Sequence, residues 1–319
     1  MRPTPTQLRV TVIGTGDIGR GWASLCVAAG WPVVMYDTDE RAIQDAPREV
    51  VARARALVAL DRALSSAVET GVEKLTTATS LLKACEDTDW VIESVREDLP
   101  SKQRLFEAIE RVSHRARAVT SSTSTHAAKD IAVRCRRPDR CLVAHPLNPP
   151  EIIPLVELVP GPETDPALVE VLKGWLRSLG RIPVVIRKPV PGNVAGRIAA
   201  AVWREAIDMV LQGVIDVADL DRAVSLGPAL GWAAAGPHLT YHLAAGDRGV
   251  EGFLQHLLQG FEVMWEDLAS WSKLDPGDRR RLTRAIERTY EERIDDMRRA
   301  RDRRLAGILR ALEHARIEP

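Results

Sequence analysis

An excess of charge of either sign is missing: 44 Lys and Arg are balanced by 44 Asp and Glu across 319 residues. A formal net charge of zero gives no general attraction for phosphate backbones or anionic lipid, so neither nucleic acid nor a membrane is an expected partner. Cysteine is scarce as well. Cys26, Cys85, Cys135 and Cys141 are scattered, with no CxxC or Cys/His ligand spacing, and read as reduced and structural, with no metal site. No apolar run approaches the roughly eighteen residues of a membrane span. Met1 to Gln7 lacks the apolar stretch of a signal peptide, and a cytoplasmic location is the expectation.

What is present is an ordinary globular composition, 45% hydrophobic and 28% charged, in a chain longer than one core usually organises. Short apolar runs alternate with amphipathic stretches up to about Ile186. Leu8 to Ile13, Pro32 to Tyr36, Trp90 to Val95, Ala118 to Ser121, Cys141 to Ala144 and Pro183 to Ile186 read as buried strands. Between them Ile18 to Ala29, Arg41 to Thr70, Lys102 to Val112 and Pro166 to Leu179 read as helices, the signature of a parallel sheet covered on both faces. The prolines of Lys188-Pro189-Val190-Pro191-Gly192 interrupt this pattern and mark a linker. Beyond it helical periodicity takes over, as in Ile198, Val202, Ala206, Met209 and Val210. The expected fold is an α/β Rossmann-like domain over residues 1–188 and an all-helical domain over 189–319. Pro276 to Arg316, dense in both charges with Leu305, Ile308, Leu309 and Leu312 on one face, reads as an amphipathic helix packed on that second domain.

Gly14-Thr15-Gly16-Asp17-Ile18-Gly19 directly follows Val10-Thr11-Val12-Ile13 and opens a helix. In that context Gly14 permits a tight turn, Gly16 lets backbone approach a pyrophosphate, and Gly19 allows close helix packing. The helix N-terminus supplies free N–H groups to the phosphates. Asp37 ends the second strand, where a carboxylate accepts hydrogen bonds from ribose hydroxyls and repels a 2′-phosphate, which favours NAD over NADP. A helix or turn cap is the other reading of Asp37.

A second group comprises Ser121-Ser122-Thr123-Ser124-Thr125, His145-Pro146-Leu147-Asn148-Pro149 and Leu155-Val156-Glu157-Leu158. The first two each follow a predicted strand and reach the same carboxyl edge as the glycine loop. A histidine, a hydroxyl cluster and a carboxylate there suit proton transfer beside a nicotinamide. Residue pattern alone also allows a structural histidine bonded to backbone in a Pro-rich turn.

The blocks Gly14 to Gly19, Val91-Ile92-Glu93-Ser94-Val95 with Glu97 and Lys102, Ser121 to Thr125 and His145 to Pro149, with Pro191-Gly192 and Arg197, resemble the 3-hydroxyacyl-CoA dehydrogenase family over nearly the whole chain. The resemblance implies NAD as cofactor, a helical C-terminal domain that pairs two copies into a homodimer, and a site between the domains. It also implies roles: His145 as base, Glu157 as its orienting carboxylate, Ser124 as the hydroxyl bonded to the substrate oxygen. Gly14, Gly16, Asp17, Ile18, Gly19, Asp37, Glu97, Lys102 and Asn148 are the cofactor contacts it suggests.

Within the family, Val202 to Ala206, Gly231-Trp232-Ala233, Gly236-Pro237 and Leu239 to Ala244 look like the branch of L-carnitine dehydrogenases, L-gulonate 3-dehydrogenase and lambda-crystallin. Carnitine carries a quaternary ammonium, for which Trp203, Trp232, Tyr241 and Trp265 offer aromatic faces, unless they simply fill the helical core. Gly196 stands where relatives carry a polar Asn or Asp, and Gly231 where this branch carries an Arg. Gly196, Ser124, Trp203, Trp232 and Tyr241 are therefore the expected substrate positions. The first expectation is an NAD-dependent dehydrogenase of a small L-3-hydroxy acid such as L-carnitine. A 3-hydroxyacyl-CoA or carrier-bound dehydrogenase and a non-enzymatic, crystallin-like NAD-binding protein are the alternatives.

Overall fold

A computed structural model describes residues 8–291 and 293–314. Met1 to Gln7, which lack a signal-peptide pattern, and the end of the amphipathic segment that reads up to Arg316 lie outside them. The chain divides into two compact units, 1–197 and 198–319.

The first unit is built on one eight-stranded sheet. Its strands are β1 (Val10–Ile13), β2 (Val33–Tyr36), β3 (Leu75–Thr77), β4 (Trp90–Glu93), β5 (Ala118–Ser121), β6 (Cys141–Pro146), β7 (Leu155–Pro160) and β8 (Ile182–Val185). They lie in the order β3-β2-β1-β4-β5-β6-β7-β8, and every neighbouring pair is parallel except β6 and β7. The parallel sheet that the alternation predicts is present, with one antiparallel step between β6 and β7. Only eight residues separate Pro146 from Leu155, too few for the crossover of a dozen or more residues that a parallel return needs. Strand β7 therefore turns back along β6, and the register sets His145 directly opposite Glu157.

Helices α1 (Asp17–Ala28), α2 (Glu40–Ala59), α3 (Ser65–Glu73), α4 (Leu81–Cys85), α5 (Leu99–Val112), α6 (Ala128–Ile131) and α7 (Pro166–Ser178) connect the strands. The single helix expected over Arg41 to Thr70 is two. Asp61 takes a left-handed conformation, φ 57°, which no continuous right-handed helix accommodates. Asp39, Asp98 and Asp165 cap α2, α5 and α7 by accepting hydrogen bonds from backbone N–H groups of the first turn. One layer of the core joins Ile13, Val91, Val119 and Val143 of the sheet to Phe106 and Ile109 of α5 and Ile131 of α6. Trp90 is fully buried, edge-on to Trp22 at 5.7 Å, and its indole N–H donates to Thr120 Oγ1 at 2.9 Å. The four cysteines are free, and burial pushes the Cys26 and Cys85 thiols up to about 12, so these two are inert packing.

Helix α8 (Ala195–Leu211) starts in the first unit and leads into the second, where α9 (Val217–Leu226), α10 (Pro228–Ala235), α11 (Pro237–Ala244), α12 (Gly249–Asp267), α13 (Pro276–Thr289) and α14 (Ile294–His314) follow. No strand occurs among its described residues, as helical periodicity predicts. Within it, Glu205 accepts a hydrogen bond from Ala269 N at 2.8 Å, and Asp208 accepts one from the Trp271 indole at 3.0 Å, anchoring α8 to the segment after α12. No described helix is long and apolar enough to cross a membrane.

Candidate active site

The carboxyl ends of β1, β2, β4, β5 and β6 open into two adjoining cavities of the first unit. The first, about 930 Å³, is lined by Gly14, Thr15, Gly16, Asp37, Thr38, Asp39 and the segment Ser94 to Asp98. The second, about 590 Å³, is lined by Ile18, Lys102, Ser122, Ser124, His145 to Asn148, Gly192 and Gly196, and it shares Ser94, Val95 and Glu97 with the first.

Each glycine of the loop answers a different requirement. Gly14 is left-handed, φ 94°, and a Cβ there would lie 2.5 Å from Ser94 O. A Cβ at Gly19 would lie 1.9 Å from Gly14 O, so this glycine lets α1 start against the loop. At Gly16 a Cβ would meet no protein atom within 4 Å, although the residue lines the larger cavity. Gly16 therefore keeps open space for something the chain does not itself supply. No side chain caps the first turn of α1, whose N–H groups face that need with the positive end of the helix dipole. These features fit the pyrophosphate of NAD.

Asp37 lines the same cavity. Its Oδ2 accepts hydrogen bonds from Thr15 N at 2.7 Å and Thr15 Oγ1 at 2.8 Å, and its Oδ1 accepts one from Asp39 N at 3.1 Å. Burial works to raise its carboxyl, but these donors outweigh burial and hold it below the ordinary value. Asp37 is thus an anion held at the end of β2, suited to ribose hydroxyls. Asp17 is placed differently. Its carboxylate pairs with Arg53 and accepts Asn148 Nδ2 at 3.2 Å, and it lines neither cavity.

In the second cavity, His145 Nδ1 and Glu157 Oε2 are 2.8 Å apart. The other oxygen of Glu157 accepts Val194 N at 3.0 Å and Ala195 N at 2.8 Å, at the start of α8. A carboxylate almost wholly out of water is therefore satisfied on both oxygens. The carboxylate fixes Nδ1 as the protonated nitrogen, which leaves Nε2 as the basic one. Ser124 lines this cavity too, and its carbonyl accepts Gly192 N at 3.0 Å, tying the hydroxyl loop to the turn before α8.

Lys102, 1% exposed, donates to Glu93 Oε1 at 2.7 Å and lies 3.3 Å from Glu97 Oε2. Sequence reasoning does not single out Glu93 as a partner, yet it is 0% exposed and also accepts Val95 N at 2.8 Å and Ser121 Oγ at 2.5 Å. The available signal is a lone carboxylate closing an apolar strand. Glu97 accepts the Thr123 hydroxyl; burial works to raise its carboxyl, and Thr123 with Lys102 overrides this to hold it below the ordinary value. Two arginines also escape sequence reasoning. Arg181 donates to the carbonyls of Pro150 and Ile153 at 3.2 Å each, pinning the loop between β6 and β7, and Arg53 approaches Glu151 of that loop at 3.4 Å.

Among the expected substrate positions, Ser124 and Gly196 share the cavity with His145, and a Cβ at Gly196 would meet nothing within 4 Å. Trp203, Trp232 and Tyr241 belong to the second unit: Trp203 is 62% exposed, Trp232 is half-buried, and Tyr241 packs on Phe253 and Phe261 at 5.0 and 5.5 Å. Gly231 lies on α10, where a Cβ would lie 3.8 Å from Thr240 Cγ2.

Comparison with known proteins agrees with this geometry. The family model of the 3-hydroxyacyl-CoA dehydrogenase NAD binding domain matches residues 9–189, and that of the C-terminal domain matches residues 192–277. An L-carnitine dehydrogenase of Nocardiopsis dassonvillei is 34% identical over 319 residues, covering 98% of this chain and 94% of its own. One from Bacillus cereus is 33% identical over 268 residues, covering 82% and 79%. Among solved structures, 5-formyl-3-hydroxy-2-methylpyridine 4-carboxylic acid 5-dehydrogenase, an NAD+-dependent dismutase, aligns with a TM-score of 0.80 at 29% identity, covering 97% of this chain and 99% of that one.

Proposed function

The chain belongs to the 3-hydroxyacyl-CoA dehydrogenase family and is an NAD-dependent dehydrogenase acting on a CH–OH group, and on that premise we propose that it oxidises the 3-hydroxyl of a small L-3-hydroxy acid, with L-carnitine as the first substrate to test. The observation that carries this reading is the His145–Glu157 pair, 2.8 Å apart, in a cavity that also holds Ser124 and adjoins the glycine loop.

Bound NAD supplies the hydride acceptor. The residues of the chain handle the proton and the oxygen. His145 Nε2 takes the hydroxyl proton, and Glu157 stabilises the imidazolium that results while holding the ring in place. Ser124 donates a hydrogen bond to the same oxygen as it becomes a carbonyl. In the reverse direction imidazolium and Ser124 together polarise the ketone.

The charges lining this cavity favour a small substrate over a CoA ester. Lys102 is already paired with Glu93 and Glu97, so it is not free to meet the phosphates of CoA. The named activity of the carnitine dehydrogenases supports the same choice. Gly196 leaves open the space that a side chain would fill beside His145, which admits a bulkier substituent near the reacting carbon. The test is NADH formation with L-carnitine, D-carnitine, L-gulonate, other 3-hydroxy acids and 3-hydroxyacyl-CoA esters. Turnover of L-carnitine with kcat/KM above about 10⁴ M⁻¹s⁻¹ supports the reading. Preference for a CoA ester overturns it.

The second unit exposes Val250, Leu254 and Trp265 along a largely apolar groove of about 700 Å³, and Leu243 and Leu257 are exposed on the same two helices, α11 and α12. A homodimer formed through this helical unit is part of the proposal, since such a patch seeks cover. Sedimentation as a monomer at micromolar concentration would refute it.

A further inference from the structure

We propose that Arg53 is a positioning residue that masks the Asp17 carboxylate at the dinucleotide end of α1 and ties that helix to the loop carrying Asn148. The inference rests on NAD binding at the glycine loop and turns on Arg53, Asp17 and Glu151, which line neither cavity.

Asp17 is the first residue of α1, immediately after Gly16. The positive end of a helix dipole attracts the pyrophosphate, and a bare carboxylate in the first turn cancels part of that attraction while adding direct repulsion. The structure removes the conflict by pairing. Arg53, reaching across from α2, makes a charged hydrogen bond to Asp17 Oδ1 and approaches the Asp17 carbonyl at 3.4 Å. Arg53 is 26% exposed and Asp17 55% exposed, so the pair lies at the surface and salt screens it.

The same guanidinium lies 3.4 Å from Glu151 Oε1, and Asp17 Oδ2 accepts Asn148 Nδ2 at 3.2 Å. Asn148 and Glu151 both belong to the eight-residue loop that joins β6, which carries His145, to β7, which carries Glu157. Arg53 therefore joins the helix that meets the cofactor to the loop whose two ends carry the proton-transfer pair. The fork geometry of arginine serves two acceptors at once, which a lysine ammonium at the same site does less well. Glu49, close enough to act on Arg53 electrostatically, is engaged by Arg20 at 2.5 Å, so Asp17 and Glu151 are the carboxylates left to Arg53.

The two parts of the role separate in a small set of full-length variants. NADH affinity is read by fluorescence titration, integrity by circular dichroism and Tm without cofactor, and turnover with whichever substrate the wild type uses. Wild-type NADH binding is established first, so failure there counts against the cofactor site rather than against Arg53. Arg53→Met should weaken NADH on the order of tenfold by removing the charge that offsets Asp17, with the defect shrinking as salt screens it. Adding Asp17→Asn to Arg53→Met should restore NADH affinity to within about twofold of wild type, because the repulsion is gone. Arg53→Lys keeps the charge and loses the fork, so it should bind NADH within about twofold of wild type while kcat falls. A folded Arg53→Met that binds NADH normally would overturn the mask, and so would a defect that Asp17→Asn fails to relieve. If Arg53→Met does not fold, Arg53→Lys decides: weak NADH binding overturns the mask, and unchanged kcat overturns the tie.

Discussion

Replacing Glu157 by Gln removes one charge and almost no volume, and the hydrogen bonds around the side chain decide how the site responds. One oxygen of Glu157 accepts from Val194 N and Ala195 N, and the other faces His145 Nδ1. An amide has one acceptor end and one donor end. Turning its NH₂ toward Val194 and Ala195 would set donor against donor at two backbone N–H groups and lose both hydrogen bonds, at about 1 kcal/mol each. The amide oxygen therefore stays with the backbone, and the NH₂ points at His145. Neutral imidazole accommodates this by accepting at Nδ1 and carrying its proton on Nε2, the nitrogen that must take the substrate proton. The ring stays in place with the wrong tautomer. A comparable tautomer error at a catalytic histidine costs about 10⁴ in kcat, so a loss of 10³–10⁴, or about 4–5.5 kcal/mol, is expected here. Steady-state turnover measures the loss, and NADH fluorescence titration should show affinity within about twofold of wild type, since the change belongs to the chemical step. If Glu157→Gln keeps more than about a tenth of wild-type kcat, the His145–Glu157 pair does not set the tautomer and the mechanism fails.

Three further outcomes are expected. Gly16→Ala should leave Tm within about 2 °C of wild type and weaken NADH by about tenfold or more, because its Cβ enters cavity space alone, whereas Gly19→Ala, with a Cβ 1.9 Å from Gly14 O, should lower Tm by more than about 5 °C; equal effects in thermal melts and titrations would refute the distinction. NAD should exceed NADP in kcat/KM by at least about tenfold through Asp37, and Asp37→Ala should narrow that ratio; parity in the wild type would remove the role given to Asp37. Asp37 and Glu97 both have folded-state carboxyls below their ordinary values of 3.8 and 4.5, so their stabilisation is complete above those values and is lost as pH falls through the lower folded ones. Urea unfolding of Asp37→Asn/Glu97→Gln should accordingly depend less on pH below about 4.5 than wild type does, and an identical pH dependence would count against both assignments.

The parts of the site that are legible in the sequence are those whose chemistry is local. Gly14, Gly16 and Gly19 each answer a backbone requirement within six residues, and Asp37 ends a strand whose apolar run announces it. The α/β alternation before pure helix is readable because strand and helix periods differ. Strand β3 is not, being three residues at the sheet edge with only Leu75 half-buried. The division of α2 from α3 is hidden because the apolar and charged residues of 41–70 keep a helical rhythm through a break made by one backbone angle at Asp61.

Register hides more than composition does. Leu155 to Leu158 stands out for its glutamate and does not read as a strand, because a buried charge breaks an apolar run unless its partner is known. The partner is His145, twelve residues earlier, and what brings them together is an antiparallel return forced by a loop too short for a crossover. Glu93 is the same case, since its charge is satisfied by Lys102 nine residues on and by Ser121 directly across the sheet. Asp17 is the third case: sitting beside the glycines, it reads as a cofactor contact, and its carboxylate pairs with Arg53, 36 residues away on another helix. In all three a carboxylate belongs to whichever cation or donor tertiary structure delivers, so its role is set by the pairing of strands and helices rather than by its neighbours in the chain. That is also why Glu157→Gln is a sharper probe of the mechanism than a change at His145. It leaves every residue in its register and alters only which end of the pair carries the proton.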